Sequence, residues 1–191
     1  MERPVDIVAL DNAFVAVTED VGRLTRGVDD PQGAWHARAG SWSVAECLDH
    51  LAAANRVYLD AMRPAAARAR ARGRLRRRPA TPGLIGRWFV RMMEPPVKPA
   101  LRGTAPEIIR PHGGTTLGDA LRRFLASQDE VRAFLRTYED LDLTGTRFVN
   151  PFVRGVQFSL ATGLHVIAAH ERRHIWQAWA VRRALERPAV A

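Results

Sequence analysis

The sequence of 191 residues has one cysteine, Cys47, one lysine, Lys98, and no long apolar run. A single cysteine excludes an internal disulfide and fits a reducing cytoplasm. The apolar runs are too short for a membrane-spanning helix, and the opening "MERPVDIVALDN" lacks the basic start and apolar middle of a secretory leader. We therefore expect a cytoplasmic protein that does not enter a membrane.

Strand signals are also scarce, because no segment alternates apolar and polar residues with period two. Apolar residues nevertheless make up 47% of the chain, which excludes a disordered protein. A chain of this length can bury a sizeable core. We therefore predict a single domain over residues 1–191.

Four segments repeat apolar residues every three or four positions, which is the period of an amphipathic helix. The second of them opens at Ser43, which forms a capping box with Glu46. Four long amphipathic helices in one small domain predict an all-α, four-helix bundle. In order, the segments cover residues 4–27, 43–62, 117–138 and about 158–185.

The connections between these helices differ in length. A short loop joins the first two helices, which should therefore run antiparallel. About forty residues rich in Pro, Gly and Arg separate the second helix from the third, and a connection this long lets those two helices run parallel. Within it, "LIGRWFVRMM" (residues 84–93) predicts a short amphipathic helix, which we interpret as a lid over the end of the bundle and not as a membrane anchor.

The net charge is +9, and nearly all of the basic residues are arginines, as is typical of a GC-rich coding sequence. Part of this charge lies in the run "RARARGRLRRR" (residues 68–78), at the end of a predicted helix. A basic run can bind nucleic-acid phosphates. We interpret this one as a solvated helix end and loop.

The stretch "HERRH" has the H-E-x-x-H pattern of a zinc protease. His170 and His174 lie one helical turn apart, about 40° from each other on one face, so they can share a metal ion. A protease needs a third ligand downstream, and the only candidate there, Glu186, would lie roughly 18 Å further along the axis. Glu171 would point about 100° away from His170. We therefore exclude a protease and interpret Glu171 as an accident of the pattern.

A third metal ligand must then come from upstream, and the best candidate is His50, beside the apolar seam of the second helix. Cys47, three residues earlier, is interpreted as a small core residue. Two histidines at this spacing that hold no metal, and are satisfied by neighbours or solvent, remain an alternative. Three further histidines are placed outside the site, the first two in exposed loops and the third pointing away on its helix: His36, His112 and His165.

Two sequence motifs together resemble the DinB-like superfamily of metalloenzymes, which includes the YfiT-type proteins. They are "WSVAECLDHL" (residues 42–51) and "HVIAAHERRHIWQA" (residues 165–178), and "VNPF" and "PPVKPALRGTAPEIIRP" are also similar. The resemblance implies an up-down-down-up bundle with one divalent metal at its open end, held by His50, His170 and His174. It also implies a homodimer, and thiol-dependent S-transferase or isomerase activity with bacillithiol, mycothiol or glutathione.

Three neutral imidazoles with open coordination positions suit Zn²⁺ or Ni²⁺. A bound divalent cation can activate a low-molecular-weight thiol for attack on an electrophile. Arg173, about 60° from His170, can pair with carboxylates of the thiol. Gln177, about 20° from His170, can bond a metal-bound water or orient a ligand, and an ordinary surface glutamine is the alternative.

The opposite face of the last helix carries Trp176 and Trp179, which suit either a dimer contact or packing on the long connection. Two other functions remain as alternatives. One is a non-catalytic metal-binding or stress-response module that has the same histidines. The weaker one is nucleic-acid binding through residues 68–78.

Overall fold

The chain folds mainly into helices, and the computed structural model describes residues 3–96 and 104–186. The long helices are α1 (Val5–Thr25), α3 (Val44–Ala71), α5 (Leu117–Tyr138) and α6 (Leu160–Leu185). The short ones are α2 (Asp30–Gly33) and α4 (Leu84–Met93), and strands β1 (Arg147–Val149) and β2 (Gln157–Ser159) form an antiparallel hairpin. The prediction of an all-α protein is confirmed apart from this hairpin, and the single domain over residues 1–191 stays a prediction. None of the described helices is both long and apolar enough to cross a membrane.

Local hydrogen bonds determine where the histidine-bearing helices begin. The Ser43 hydroxyl accepts a bond from the Glu46 backbone N–H at 3.2 Å, and the Ser43 N–H donates to Oε2 of Glu46 at 2.8 Å. This is the predicted capping box, and Ser159 caps α6 with its hydroxyl in a similar way. The caps set the start of α3 and α6, and hence the direction in which the histidines of each helix point.

Helix α3 packs on α5 and α6, and α1 packs on the same two helices. Between α3 and α6 the contacts run in opposite order, because His50 meets His170 while Met62 lies beside Gly163. A Cβ at Gly163 would lie only 3.0 Å from Sδ of Met62, so glycine allows this close approach. In order along both helices, the contacts between α3 and α5 are Asn55–Ser127, Arg63–Glu130 and Arg70–Thr137.

The long connection contains the short helix that "LIGRWFVRMM" predicts, namely α4. The ring of Phe89 packs edge-on against Phe158, with the ring centroids 5.0 Å apart. Just after α4, Glu94 forms an ion pair with Arg172 on α6. Helix α4 therefore lies along the side of α6 and not over the end of the bundle, because its inward apolar residues pack on the core there.

The sequence pattern indicates neither α2 nor the hairpin. Three residues are too few to show a period-two pattern, and Phe158, assigned to the last helix from sequence, instead pairs with Phe148 across the two strands. The connection between α1 and α3 is not a short loop. It contains α2, a single turn with a capping box formed by Asp29 and Gln32.

Part of the tryptophan-bearing face of α6 contacts other residues of the same chain. Trp179 donates its indole N–H to Oδ1 of Asp20 on α1 at 3.2 Å, and the guanidinium of Arg182 lies 5.7 Å from its ring centroid. Trp176 is 39% exposed. Packing on α1, and not on the long connection, therefore accounts for Trp179, and a dimer contact through this face stays a prediction.

Candidate metal centre

The imidazole of His50 is buried on α3, and its tautomer follows from its hydrogen bonds. Its Nδ1 lies 2.6 Å from the backbone oxygen of Ile109, in a short 3-10 turn (Glu107–Ile109) of the long connection. A carbonyl oxygen can only accept, so Nδ1 of His50 carries the proton. In the neutral ring, Nε2 then holds a free lone pair, which is the form that binds a metal.

His170 and His174 on α6 meet His50 in one cluster. Nε2 of His50 lies 3.2 Å from Nε2 of His170, and the ring centroids of His50 and His174 are 4.5 Å apart. One ring nitrogen from each of the three residues lies within 4.8 Å of the others. The structure thus brings together the three histidines that the sequence indicates.

Burial keeps these imidazoles neutral. Desolvation, followed by the charges of His50 and Arg173, lowers the pKa of His170 to about 3. Desolvation is also the main reason that the pKa of His174 lies well below its ordinary value and that the pKa of His50 is lowered. A metal binds the neutral form of histidine, so all three rings are in the binding form at neutral pH.

The cluster fits a divalent cation of the zinc type. Zn–N bonds of about 2.0–2.1 Å in a tetrahedral site place two ligand nitrogens about 3.3 Å apart, close to the separation of His50 and His170. Nδ1 of His174 is buried and has no hydrogen-bond partner among the residues that the structure describes. Buried polar atoms rarely lack a partner, and a metal shared with two other imidazoles supplies one. The three histidines can therefore hold a metal ion.

Trp42 forms one wall of this cluster. Its ring centroid lies 4.6 Å from that of His50 and 5.4 Å from that of His174, on which it stacks. Trp42 directly precedes the N-cap Ser43, so the capping box that starts α3 also positions the indole ring. The sequence pattern includes this tryptophan in a motif but does not predict its contact with the histidines.

Asp49 holds the long connection against the cluster. Its carboxylate is buried and accepts the backbone N–H of His112 at 2.8 Å, and the His112 ring Nδ1 lies 3.0 Å away. The other carboxylate oxygen is 3.0 Å from Nε of Arg123 on α5. These contacts fix the chain just after Ile109, whose carbonyl orients His50. The sequence shows no signal for this role, because it depends on a loop that folds back onto α3.

Glu171 is the clearest correction to the sequence interpretation, since it is a core residue and not an accident of the pattern. Its side chain is fully buried, and Oε1 accepts hydrogen bonds from Asn55 on α3 and Gln128 on α5. Desolvation raises the pKa of Glu171 to about 8, although the two amide donors partly oppose this shift. The 100° rotation from His170 that excludes a protease base directs this carboxyl into the interior.

The remaining candidates take the positions that the sequence predicts. Nε2 of His165 lies 3.1 Å from the backbone oxygen of Ala80, away from the cluster. Cys47 is buried, burial raises the pKa of its thiol, and it is not part of the histidine cluster. His36 and His112 lie in loops with largely exposed rings, and each contacts a carboxylate of α3.

Arg173 and Gln177 both lie close to the histidines. Arg173 is half-buried, with Nη1 3.9 Å from Sδ of Met93, and its positive charge helps to lower the pKa of all three imidazoles. A contact with Gln177 acts to raise the pKa of His174 and so partly opposes this effect. Both side chains are therefore near enough to influence a ligand at the centre.

Fold and site together define a helical protein with three facing histidines that can hold a metal ion. The family model of the DinB superfamily matches residues 13–178, which include all three. The chain therefore belongs to the DinB superfamily, as the two histidine motifs indicate. No curated protein and no solved structure gives a match.

Proposed function

We propose that the protein binds one divalent metal ion, Zn²⁺ or Ni²⁺, through His50, His170 and His174. The observation that carries this proposal is the cluster itself, with one nitrogen of each ring within 4.8 Å of the others. Three neutral imidazoles leave coordination positions for water or substrate, as in catalytic zinc sites.

We propose further that the protein is an S-transferase or isomerase that uses a low-molecular-weight thiol. When bound, a divalent cation lowers the pKa of a coordinating thiol and so supplies a thiolate near neutral pH. Arg173 offers a guanidinium beside the cluster, suited to a carboxylate of the thiol. Gln177 offers an amide beside His174 that can orient a water or a ligand. The electrophilic cosubstrate, a homodimer and a cytoplasmic location belong to the same proposal.

The up-down-down-up order of the four long helices is also part of this proposal. It is supported by contacts that run in the same order along α3 and α5 and in opposite order along α3 and α6. In this arrangement the N-terminal half of α3 and the middle of α6 meet, so His50 can face His170.

The test of activity compares metal-loaded and metal-free protein in conjugating glutathione, bacillithiol or mycothiol to a generic electrophile. We expect a metal-dependent rate with one of these thiols. Arg173→Gln should raise KM for that thiol without changing the metal content, whereas Arg183→Gln, an exposed arginine of α6, should change neither. Full metal occupancy with no rate above the metal-free protein for any thiol would favour the non-catalytic module instead.

Replacing Asp49 with alanine should weaken metal binding although Asp49 is not itself a ligand. Loss of the Asp49 contacts frees the loop that carries Ile109, so His50 is no longer held in one tautomer. Changes of this kind cost about 10–100-fold in metal affinity. The affinity is measured by chelator competition, and the His50 tautomer of the metal-free protein by nitrogen NMR. Asp60→Ala, an exposed aspartate of α3, is the control, and equal affinity and tautomer in the two variants would contradict the role of Asp49.

A further inference from the structure

The arginine run at the end of α3 divides into two sets. One set is neutralised by carboxylates: Arg70 pairs with Asp140, Arg76 with Asp6, and Arg78 lies 3.8 Å from Asp142. The other set, Arg68, Arg72, Arg74 and Arg77, forms no ion pair or side-chain hydrogen bond with any residue in the described part of the chain. All arginines of the run are exposed except Arg76, which is half-buried, so the predicted solvated helix end and loop is confirmed for the rest of the run.

Three of the unpaired arginines, Arg68, Arg72 and Arg74, line one surface cavity. This cavity has a volume of about 200 Å³, and Arg147 of β1 is the fourth arginine that lines it. None of the described residues that line it is acidic. Four positive charges that line one cavity repel one another, and a bound anion would reduce that repulsion. The residues that line the cavity include Arg68, Arg72, Arg74, Gly145, Thr146 and Arg147.

A buried hydroxyl without a hydrogen-bond partner belongs to another residue that lines the cavity. Thr146 is only 5% exposed, and its Oγ1 is buried and has no hydrogen-bond partner among residues 3–96 and 104–186. Thr146 lines the cavity, and a buried hydroxyl is nearly always bonded, so a ligand oxygen that reaches Oγ1 would supply the missing partner.

Backbone hydrogen bonds hold together the two segments that surround the cavity. The backbone N–H of Asp142 donates to the oxygen of Arg74 at 3.0 Å, and the N–H of Arg76 donates to the oxygen of Asp140 at 2.8 Å. These bonds tie the end of α3 to the segment that leads into β1. The helical rise from His50 to Arg68 is about 27 Å, so the cavity is separate from the histidine cluster.

We propose that this cavity binds the phosphate group of a small phosphorylated compound. A phosphate monoester has close to two negative charges and three strong acceptor oxygens, which match several guanidinium groups and one hydroxyl. The cavity is smaller than the roughly 300–1,000 Å³ of pockets that hold a drug-sized ligand, so it suits the phosphate end of such a compound.

The experiment titrates inorganic pyrophosphate and glycerol 3-phosphate into the whole protein at fixed ionic strength and follows binding by calorimetry. We expect one site, weakened about tenfold or more in the double variant Arg72→Gln/Arg147→Gln. The control Arg77→Gln/Arg154→Gln removes the same charge from exposed positions outside the cavity and should bind as wild type does. Thermal melts of both double variants confirm that each is folded.

The hydroxyl and the source of the phosphate are tested separately. Thr146→Val should weaken binding a few-fold and Thr146→Ser should restore it. Equal weakening in the two double variants, or no binding of either small compound, would overturn the proposal. A DNA duplex that binds through Arg72 and Arg147 while the small phosphates do not would overturn it in favour of nucleic acid. Metal content is recorded throughout and should not change, so the result is independent of the histidine cluster.

Discussion

Replacing His174 with alanine should remove most of the bound metal. His174 contributes one of only three imidazoles in the cluster, and it is almost fully buried there. Loss of a ligand costs more than the roughly 10–100-fold of an outer contact, so we expect the affinity for Zn²⁺ or Ni²⁺ to fall more than about 100-fold. Metal content after dialysis and chelator competition measure this change.

His165→Ala is the matched control for that variant. His165 lies on the same helix and is also partly buried, but its ring is bonded to a backbone oxygen outside the cluster. It should therefore retain the metal affinity of the wild type. If His174→Ala, or equally His170→Ala, keeps as much metal as the wild type, the proposed centre is wrong. Melting curves of the metal-free variants separate loss of a ligand from loss of the fold.

The second large effect concerns Glu171 and the pH dependence of stability. Burial raises the pKa of Glu171 to about 8 in the folded protein from an ordinary value of 4.5. Between these values the folded chain keeps a proton that the unfolded chain has lost. The stabilising contribution of this group is therefore complete below about pH 4.5 and is lost as the pH rises to 8.

Glu171→Gln should remove this pH dependence while keeping the shape of the side chain and an acceptor for Asn55 and Gln128. Between pH 5.5 and 8.5 we expect the free energy of unfolding of the wild type to fall about 2–4 kcal/mol more than that of the variant. Denaturant unfolding of the metal-free proteins at several pH values measures the difference. Glu19→Gln, which changes an exposed glutamate of α1, should follow the wild type, and parallel curves for wild type and Glu171→Gln would contradict the prediction.

The three histidines were predictable because helical geometry is local. The spacing of His170 and His174 places them on one face whatever else the chain does, and His50 follows from its position beside an apolar seam. The contacts that orient them were not predictable. The carbonyl of Ile109 and the carboxylate of Asp49 act across a long connection whose path depends on tertiary packing.

Glu171 shows a different limit of the sequence pattern. Its 100° rotation from His170 is correct, but a helical wheel does not tell which faces are covered. Most of α6 between Leu160 and Ala178 is buried on more than one side, by α1, α3 and α4. A polar residue that is off the main seam of such a helix can therefore still be internal, as Glu171 is, with its partners on α3 and α5.

The sequence separation of 120 residues between His50 and His170 would give a bound metal an effect on chain entropy. A cation held by both would act as a cross-link that closes a loop of more than half of the chain. A link across about 100 residues removes unfolded-state entropy worth about 4.7 kcal/mol in the simplest chain model. A chelator should therefore remove the link between α3 and α6 and lower the unfolding temperature. The same three histidines would then act, through the metal, as a reversible cross-link within the bundle.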